Sequence, residues 1–196
     1  MESSTIQYYN KNAQTYFEST VSLDMGKLYE PFLQHLKPGA KILDAGCGSG
    51  RDSLFFKNHG FQVTAFDASE EMVKLASQLL GQRVLHMSFE DLDLPETYDG
   101  IWACASLLHV KRAELRNVIA RLTQHLNTGG MLYMSFKYGG GEYWKDGRYF
   151  HCLDEIGLHK TIERIPELKV AQLFVSIDVR SDRTEERWLN AYLVRG

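Results

Sequence analysis

Cysteine is scarce in this chain of 196 residues: there are three, Cys47, Cys104 and Cys152. An odd number at wide spacing excludes a disulfide framework and forms no metal-ligand pattern, so a reducing, cytoplasmic setting is expected and no metal. An excess of positive charge is also missing. Twenty-two Lys and Arg face 25 Asp and Glu, for a net charge of −3, and no basic patch dominates. Nucleic-acid partners are therefore not expected. The N-terminus has no apolar signal core, and no apolar run approaches membrane-spanning length, so no membrane partner is expected either. Repeats and low-complexity segments are absent. What remains is an ordinary globular composition, 44% hydrophobic and 24% charged, long enough for one domain with a large core.

The most informative stretch is 41–50, Lys-Ile-Leu-Asp-Ala-Gly-Cys-Gly-Ser-Gly. Ile42 and Leu43 read as a short buried strand, and Gly46, Gly48 and Gly50 as a tight turn into a helix beginning near Arg51. Glycine suits such a turn because a Cβ would keep the backbone from approaching a ligand. The next apolar run, Phe61–Phe66, is a second strand, and Asp67 stands at its carboxyl end, where an acid can accept hydrogen bonds from both ribose hydroxyls. A nucleoside pocket follows. The loop is Gly-x-Gly-x-Gly rather than the dinucleotide pattern Gly-x-Gly-x-x-Gly, and Asp44 stands just before it. A carboxylate there repels phosphate and suits a ligand with a positive amino group. S-adenosylmethionine (SAM) has that composition: adenine, ribose, a sulfonium and an α-amino group.

The rest of the chain alternates strands with helices, which predicts a parallel sheet covered by helices on both faces. The N-terminal stretch 4–17 reads as helical, with Tyr9 and Tyr16 on one face, and a helix over Met25–Leu36 stops before Pro38-Gly39. Strands are expected at Lys41–Asp44, Gln62–Asp67, Arg83–Met87, Gly100–Ala105 and Met131–Lys137. Helices are expected at Asp52–His59, from Ser69 as N-cap to Leu80, at Arg112–Leu126 and at Leu153–Glu163. Lys169–Val179 and Trp188–Val194 flank a charged turn and form a hairpin. The single domain 1–196 divides into N-terminal helices acting as a lid (1–38), a ligand-binding core (39–137), and a flap with the C-terminal hairpin (138–196).

Residues Ile42–Gly50 resemble the first motif of the class I SAM-dependent methyltransferases, joined by the acid Asp67, 21 positions after Gly46, and the similarity runs from about Tyr8 to about Lys137. The overall layout is similar to small, stand-alone bacterial members near the tellurite-resistance group. The resemblance implies a Rossmann-like α/β fold with a mostly parallel seven-stranded sheet and an antiparallel strand from the C-terminal hairpin. It implies SAM as methyl donor, S-adenosylhomocysteine (SAH) as product, a small-molecule acceptor, and a monomer or homodimer. An Asn-Pro-Pro-Tyr-type motif is absent after strand four, where the chain reads Ala103-Cys104-Ala105-Ser106, which argues against methylation of DNA bases. A tRNA wobble-uridine methyltransferase and a SAM-binding protein without turnover are the competing readings.

For cofactor binding, the expected residues are Asp44, Gly46, Gly48 and Gly50 at the methionine part, and Asp67 with Ala68 at the ribose. Ser88 and Phe89 belong at the adenine, where related enzymes often carry an acid instead of Ser88; Ala103 and Cys104 carbonyls belong at the amino group, and Tyr8 and Tyr16 in the lid. Cys47 and Cys104 also read as packing residues. For the acceptor, His109 is a candidate base or contact, or else a helix-entry residue. Arg148 and Tyr149 lie in the Gly- and aromatic-rich segment 137–151, read as an acceptor flap or a connecting loop. Arg148 offers a permanently charged donor fork, so the acceptor it holds is anionic or strongly polar. The charge cluster 180–187 reads as a solvated turn, from which Arg183 could reach an anionic acceptor if the turn folds over the site.

Overall fold

The computed structural model describes residues 3–196. Nine strands and seven helices run in the order α1 (Ser4–Lys11), α2 (Ala13–Thr20), α3 (Gly26–Gln34), β1 (Lys41–Ala45), α4 (Arg51–Asn58), β2 (Gln62–Asp67), α5 (Glu70–Leu80), β3 (Leu85–His86) and β4 (Tyr98–Ala103). They continue as α6 (Arg112–Gln124), β5 (Leu126–Lys137), β6 (Glu142–Lys145), β7 (Arg148–His151), α7 (Glu155–Ile162), β8 (Leu168–Ile177) and β9 (Arg187–Arg195).

Seven strands form one sheet in the order β3-β2-β1-β4-β5-β9-β8. The five on the β3 side are mutually parallel, and β9 is antiparallel to both β5 and β8. This is the class I methyltransferase arrangement, and it agrees with the expected fold class. Strand order reverses between β1 and β4, the place where open α/β sheets hold ligands at their carboxyl ends.

Alternation along each strand feeds two cores. Leu43, Ile101 and Leu132 point to the face covered by Leu115, Ile119 and Leu122 of α6. Their neighbours Ile42, Trp102 and Tyr133 point to the other face, against Tyr29 and Phe32 of α3 and Phe56 of α4. Strands buried on both faces are what a parallel sheet requires. The indole of Trp102 stacks on the ring of Tyr133 at 3.9 Å.

Four expectations are refined. The N-terminal stretch is two helices, because Asn12 breaks the run: its backbone N–H and its Nδ2 both donate to the Tyr8 carbonyl. β3 is only two residues long, and β5 begins five residues early, at Leu126. The segment after β5 holds a separate β6–β7 hairpin rather than a mere connecting loop. Its turn residues Asp146 and Gly147 have φ of 52° and 79°, the left-handed pair that a two-residue hairpin turn needs. Tyr143 stacks on Phe150 across the hairpin at 5.0 Å. Among the described residues no helix is long and apolar enough to cross a membrane.

Candidate active site

The three glycines after β1 do different work. The amides of Gly46 and Cys47 donate to the Phe66 carbonyl at 3.0 and 2.9 Å, which locks the loop to the end of β2. A Cβ on Gly46 would lie 2.5 Å from the Cβ of Ser106, so this glycine admits the chain after β4. A Cβ on Gly50 would lie 3.1 Å from the Cβ of Ala76, so this one lets α5 pack close. Only Gly48 faces open space, bounded by the ring of Tyr16.

Asp67 is bound into the same loop. One carboxylate oxygen accepts the Gly48 amide at 2.9 Å and the other accepts the Ser69 amide at 2.9 Å. Burial raises its pKa above the ordinary carboxylate value, against the pull of these amides. Gly48, Asp67 and Tyr16 all line one cavity of about 490 Å³ at the carboxyl ends of the strands.

Beneath the cavity lies a buried ion pair. The Arg51 guanidinium donates to both oxygens of Asp52, at 2.6 and 2.9 Å, while Tyr29 and the Trp102 indole donate to the same carboxylate at 2.6 and 2.8 Å. Burial works to raise the Asp52 pKa, but the charge and hydrogen bonds of Arg51, Tyr29 and Trp102 outweigh it and hold it low. Asp44 sits behind the loop, where Ser53 Oγ donates to it at 2.6 Å; burial first, and then the Asp52 charge, push it up to about 8. Burial likewise pushes the Cys104 thiol up to about 12, so it stands in the cavity wall as an uncharged group.

The two N-terminal helices roof the cavity. Asn10 accepts from Ser69 Oγ at 2.7 Å, Thr20 donates to Ser49 Oγ at 3.1 Å, and Thr5 Oγ1 accepts the Tyr149 amide at 3.0 Å. Tyr9 and Tyr16 meet edge to face at 5.0 Å. The Tyr9 hydroxyl lies 2.8 Å from His109 Nε2, and His109 Nδ1 lies 2.7 Å from the Tyr149 carbonyl. A carbonyl only accepts, so Nδ1 carries the proton and Nε2 accepts from Tyr9. Burial pulls the His109 pKa down to about 4, which keeps the ring neutral at pH 7.

The opposite wall comes from β7 and the β8–β9 connection. Arg148 enters the cavity with its guanidinium 4.1 Å from the Tyr8 ring centre. Asp178 receives both arms of Arg180, at 2.8 and 2.6 Å, and the Trp188 indole at 3.0 Å. The charge cluster 180–187 is not merely a solvated turn: Arg183 reaches the cavity, the alternative expected of it, and Arg180 and Glu186 line it too, with Asp178 and Trp188.

Of the residues expected from the sequence, Gly46, Gly48, Asp67, Ala68, Ser88, Phe89, Cys104, Tyr16, His109 and Arg148 line this cavity together. The other five stand behind its surface. Asp44 is turned toward Ser53, Gly50 packs on Ala76, and Ala103 is fully buried in β4. Tyr8 backs Arg148. Tyr149 turns its hydroxyl outward, donating to Glu142 and accepting the Arg112 amide at 3.1 Å. Ser88 donates to Asp91 at 2.7 Å. Sequence reading left out Asp52, Asp178 and Trp188. The Asp146-Gly147 pair, a hairpin signal in itself, is what could have placed Arg148 on an ordered strand. Among the described residues no three His, Cys, Asp or Glu side chains are grouped as metal ligands.

Residues 42–130 match the family model of a methyltransferase domain. The probable S-adenosyl-L-methionine-dependent methyltransferase TehB of Haemophilus influenzae is 26% identical over 187 residues, covering 83% of this chain and 63% of that protein. A ubiquinone biosynthesis O-methyltransferase of Xanthomonas campestris is 36% identical over 107 residues, 50% of this chain and 43% of that one. The chain thus spans less than two thirds of the length of these curated relatives. Among solved structures, the 1,6-didemethyltoxoflavin-N1-methyltransferase of Burkholderia thailandensis, with bound 1,6-didemethyltoxoflavin and S-adenosylhomocysteine, superposes with a TM-score of 0.81 at 21% identity, covering 98% of this chain and 87% of that one. TehB from Haemophilus influenzae superposes with a TM-score of 0.72 at 17% identity, over 98% and 67% of the two chains. The matched methyltransferase domain at 42–130 lies within a seven-stranded sheet of the class I methyltransferase fold, and the chain is similar to S-adenosyl-L-methionine-dependent methyltransferases.

Proposed function

We propose that this chain transfers a methyl group from SAM to a small-molecule acceptor and releases SAH. The observation that carries the reading is the cradle of Gly48, Asp67 and Tyr16. An open glycine, an anchored carboxylate and an aromatic face meet in one cavity at the switch point of the sheet. The donor set fits SAM. Asp67 keeps lone pairs for the ribose hydroxyls beyond the two it gives to the loop amides. Gly46, Ala68, Ser88, Phe89 and Cys104 supply the rest of the wall, Ala103 and Gly50 hold its backbone, and Asp44 adds an acidic group behind it. When bound, SAM supplies an electrophilic methyl on a cationic sulfur.

The protein's share of such a reaction is alignment and exclusion of water. Tyr9 and Tyr16 present ring faces and edges from the roof, and rings stabilise a neighbouring cation. Helices α1 and α2 act as the lid, and Asn10, Thr20 and Thr5 are its latches. Tyr9, His109 and Arg148 form the acceptor end, which Tyr149 supports through its carbonyl. A cavity of about 490 Å³ on a chain of net charge −3 favours a small acceptor over a nucleic acid.

The test is incubation of the full chain with methyl-labelled SAM and a metabolite extract, read by mass spectrometry. The expected result is a labelled product formed one-for-one with SAH, absent from an Asp67→Ala control. SAM binding without SAH release above that control overturns the proposal.

A further inference from the structure

Arg148 differs from three other cations of the cavity. Arg51 is paired with Asp52, Lys137 with Glu186 and Arg180 with Asp178, each at close range. Among the described residues, the carboxylate paired with Arg148 is Asp146, 3.5 Å away and itself 59% exposed. The Arg148 side chain is only 16% exposed, and its Nε is buried with no hydrogen-bond partner among the described residues. Its guanidinium lies among the rings of Tyr8 at 4.1 Å, Phe150 at 5.2 Å and Tyr9 at 6.0 Å. The Tyr9 hydroxyl also interacts with the guanidinium, while ring faces replace some of the water lost by a cation but accept little from N–H donors, so Nε stays unpaired among the described residues. A buried donor left unmade is a cost that a ligand can remove.

We infer that Arg148 is an anion subsite of the acceptor pocket and that the acceptor is an organic carboxylate with an apolar or aromatic body. This rests on the methyl-transfer reading of the cavity. The planar fork matches a carboxylate in bidentate fashion. Lys111 and Lys145 line the same cavity and form no ion pair among the described residues; Glu114 is the acid nearest to them in sequence that also lines it. The body of the ligand is specified by what separates Arg148 from the glycine loop. Tyr9 follows Arg148, Tyr16 follows Tyr9 at 5.0 Å, and Gly48 lies under Tyr16, with Ile6 and Val110 in the same wall. Rings and aliphatic groups solvate the uncharged part of an organic acid well and a compact, multiply charged oxyanion poorly.

The experiment uses calorimetry on the full chain. SAH is titrated first. Then two matched pairs are titrated, 4-hydroxybenzoate against 4-hydroxybenzamide and indole-3-acetate against indole-3-acetamide, with inorganic phosphate as a separate arm. The expected result is that each carboxylate binds at least tenfold tighter than its amide. That preference disappears in Arg148→Met while SAH affinity stays at the wild-type value. Arg148→Gln, which keeps N–H donors but drops the charge, gives the same readout if Arg148→Met does not fold. Equal or undetectable binding of acid and amide overturns the inference, as does a preference that survives both substitutions. Phosphate binding as tightly as the carboxylates overturns the organic body. Failure of SAH to bind refutes the methyl-transfer reading instead, and the acid–amide preference is then read on the SAH-free chain.

Discussion

Tyr9 donates a hydrogen bond of 2.8 Å to His109 Nε2, joining the first helix to the turn after β4 across a hundred residues of sequence. The direction of that bond follows from the other side of the ring, where Nδ1–H donates to the Tyr149 carbonyl at 2.7 Å. His109 is thus held as the neutral Nδ1–H tautomer, and burial keeps its pKa near 4. Nitrogen-15 NMR should show this tautomer unchanged from pH 5.5 to 8. The unfolded chain takes up a proton near pH 6.5 and the folded chain near 4, so the contribution of His109 to stability is present above pH 6.5 and is lost as pH falls toward 4. Tyr9→Phe leaves Nε2 without its donor and should cost about 1–3 kcal/mol, measured by urea unfolding. A mixed or Nε2–H tautomer would refute the assignment.

Asp44 titrates in the opposite sense. Its folded pKa is raised to about 8 by burial and by Asp52, whereas the unfolded value lies near 3.9. The folded protein holds the extra proton between these values, so stability falls as pH rises from about 4 through 8. Asp44→Asn keeps an acceptor for Ser53 Oγ and removes the titration. Urea unfolding should therefore show the variant gaining on wild type as pH goes from 5.5 to 8. Parallel stability curves would show that Asp44 is ionised throughout.

The glycine loop separates packing from ligand approach. Gly46→Ala brings a Cβ to 2.5 Å from Ser106, and Gly50→Ala brings one to 3.1 Å from Ala76, both on top of a left-handed backbone. Gly48→Ala meets nothing closer than Tyr16 at 3.6 Å, so only the backbone strain of φ 53° remains, worth about 1–2 kcal/mol. Unfolding midpoints should rank Gly48→Ala as mildest and Gly46→Ala as most severe. Gly48→Ala should still weaken SAH binding, because its new methyl group fills the open side of the loop. A mild Gly46→Ala would contradict the packing described.

Most of this fold was legible because its signals are local. Helix α5 can be read at both ends: Ser69 Oγ accepts the Met72 amide at 3.2 Å, and Gly81 closes the helix at φ 58°. Asp67 at the end of β2 is likewise a matter of chain position. The rest depends on contacts between distant segments. Asp44 belongs to the motif, yet its strand turns it toward Ser53 rather than the cavity, a choice that packing of α4 decides. The charged 180–187 run reads as a solvated turn from which Arg183 alone could reach the site, because nothing local shows that Asp178 gathers Arg180 and Trp188 against it. Tyr149 looked like an acceptor contact beside Arg148, but neighbours on a strand point to opposite faces, and only Arg148 reaches the cavity.

The most direct test of the account is calorimetric titration of SAH into the wild-type chain and into Asp67→Asn, which keeps one acceptor for the loop amides. The account predicts one SAH bound per wild-type chain and a loss of about 1.5–3 kcal/mol in the variant, roughly 10- to 150-fold in affinity, for the loss of hydrogen bonds to a charged group. Absence of binding to wild type, or equal affinity in the variant, would contradict the placement of a nucleoside on Asp67 at the end of β2.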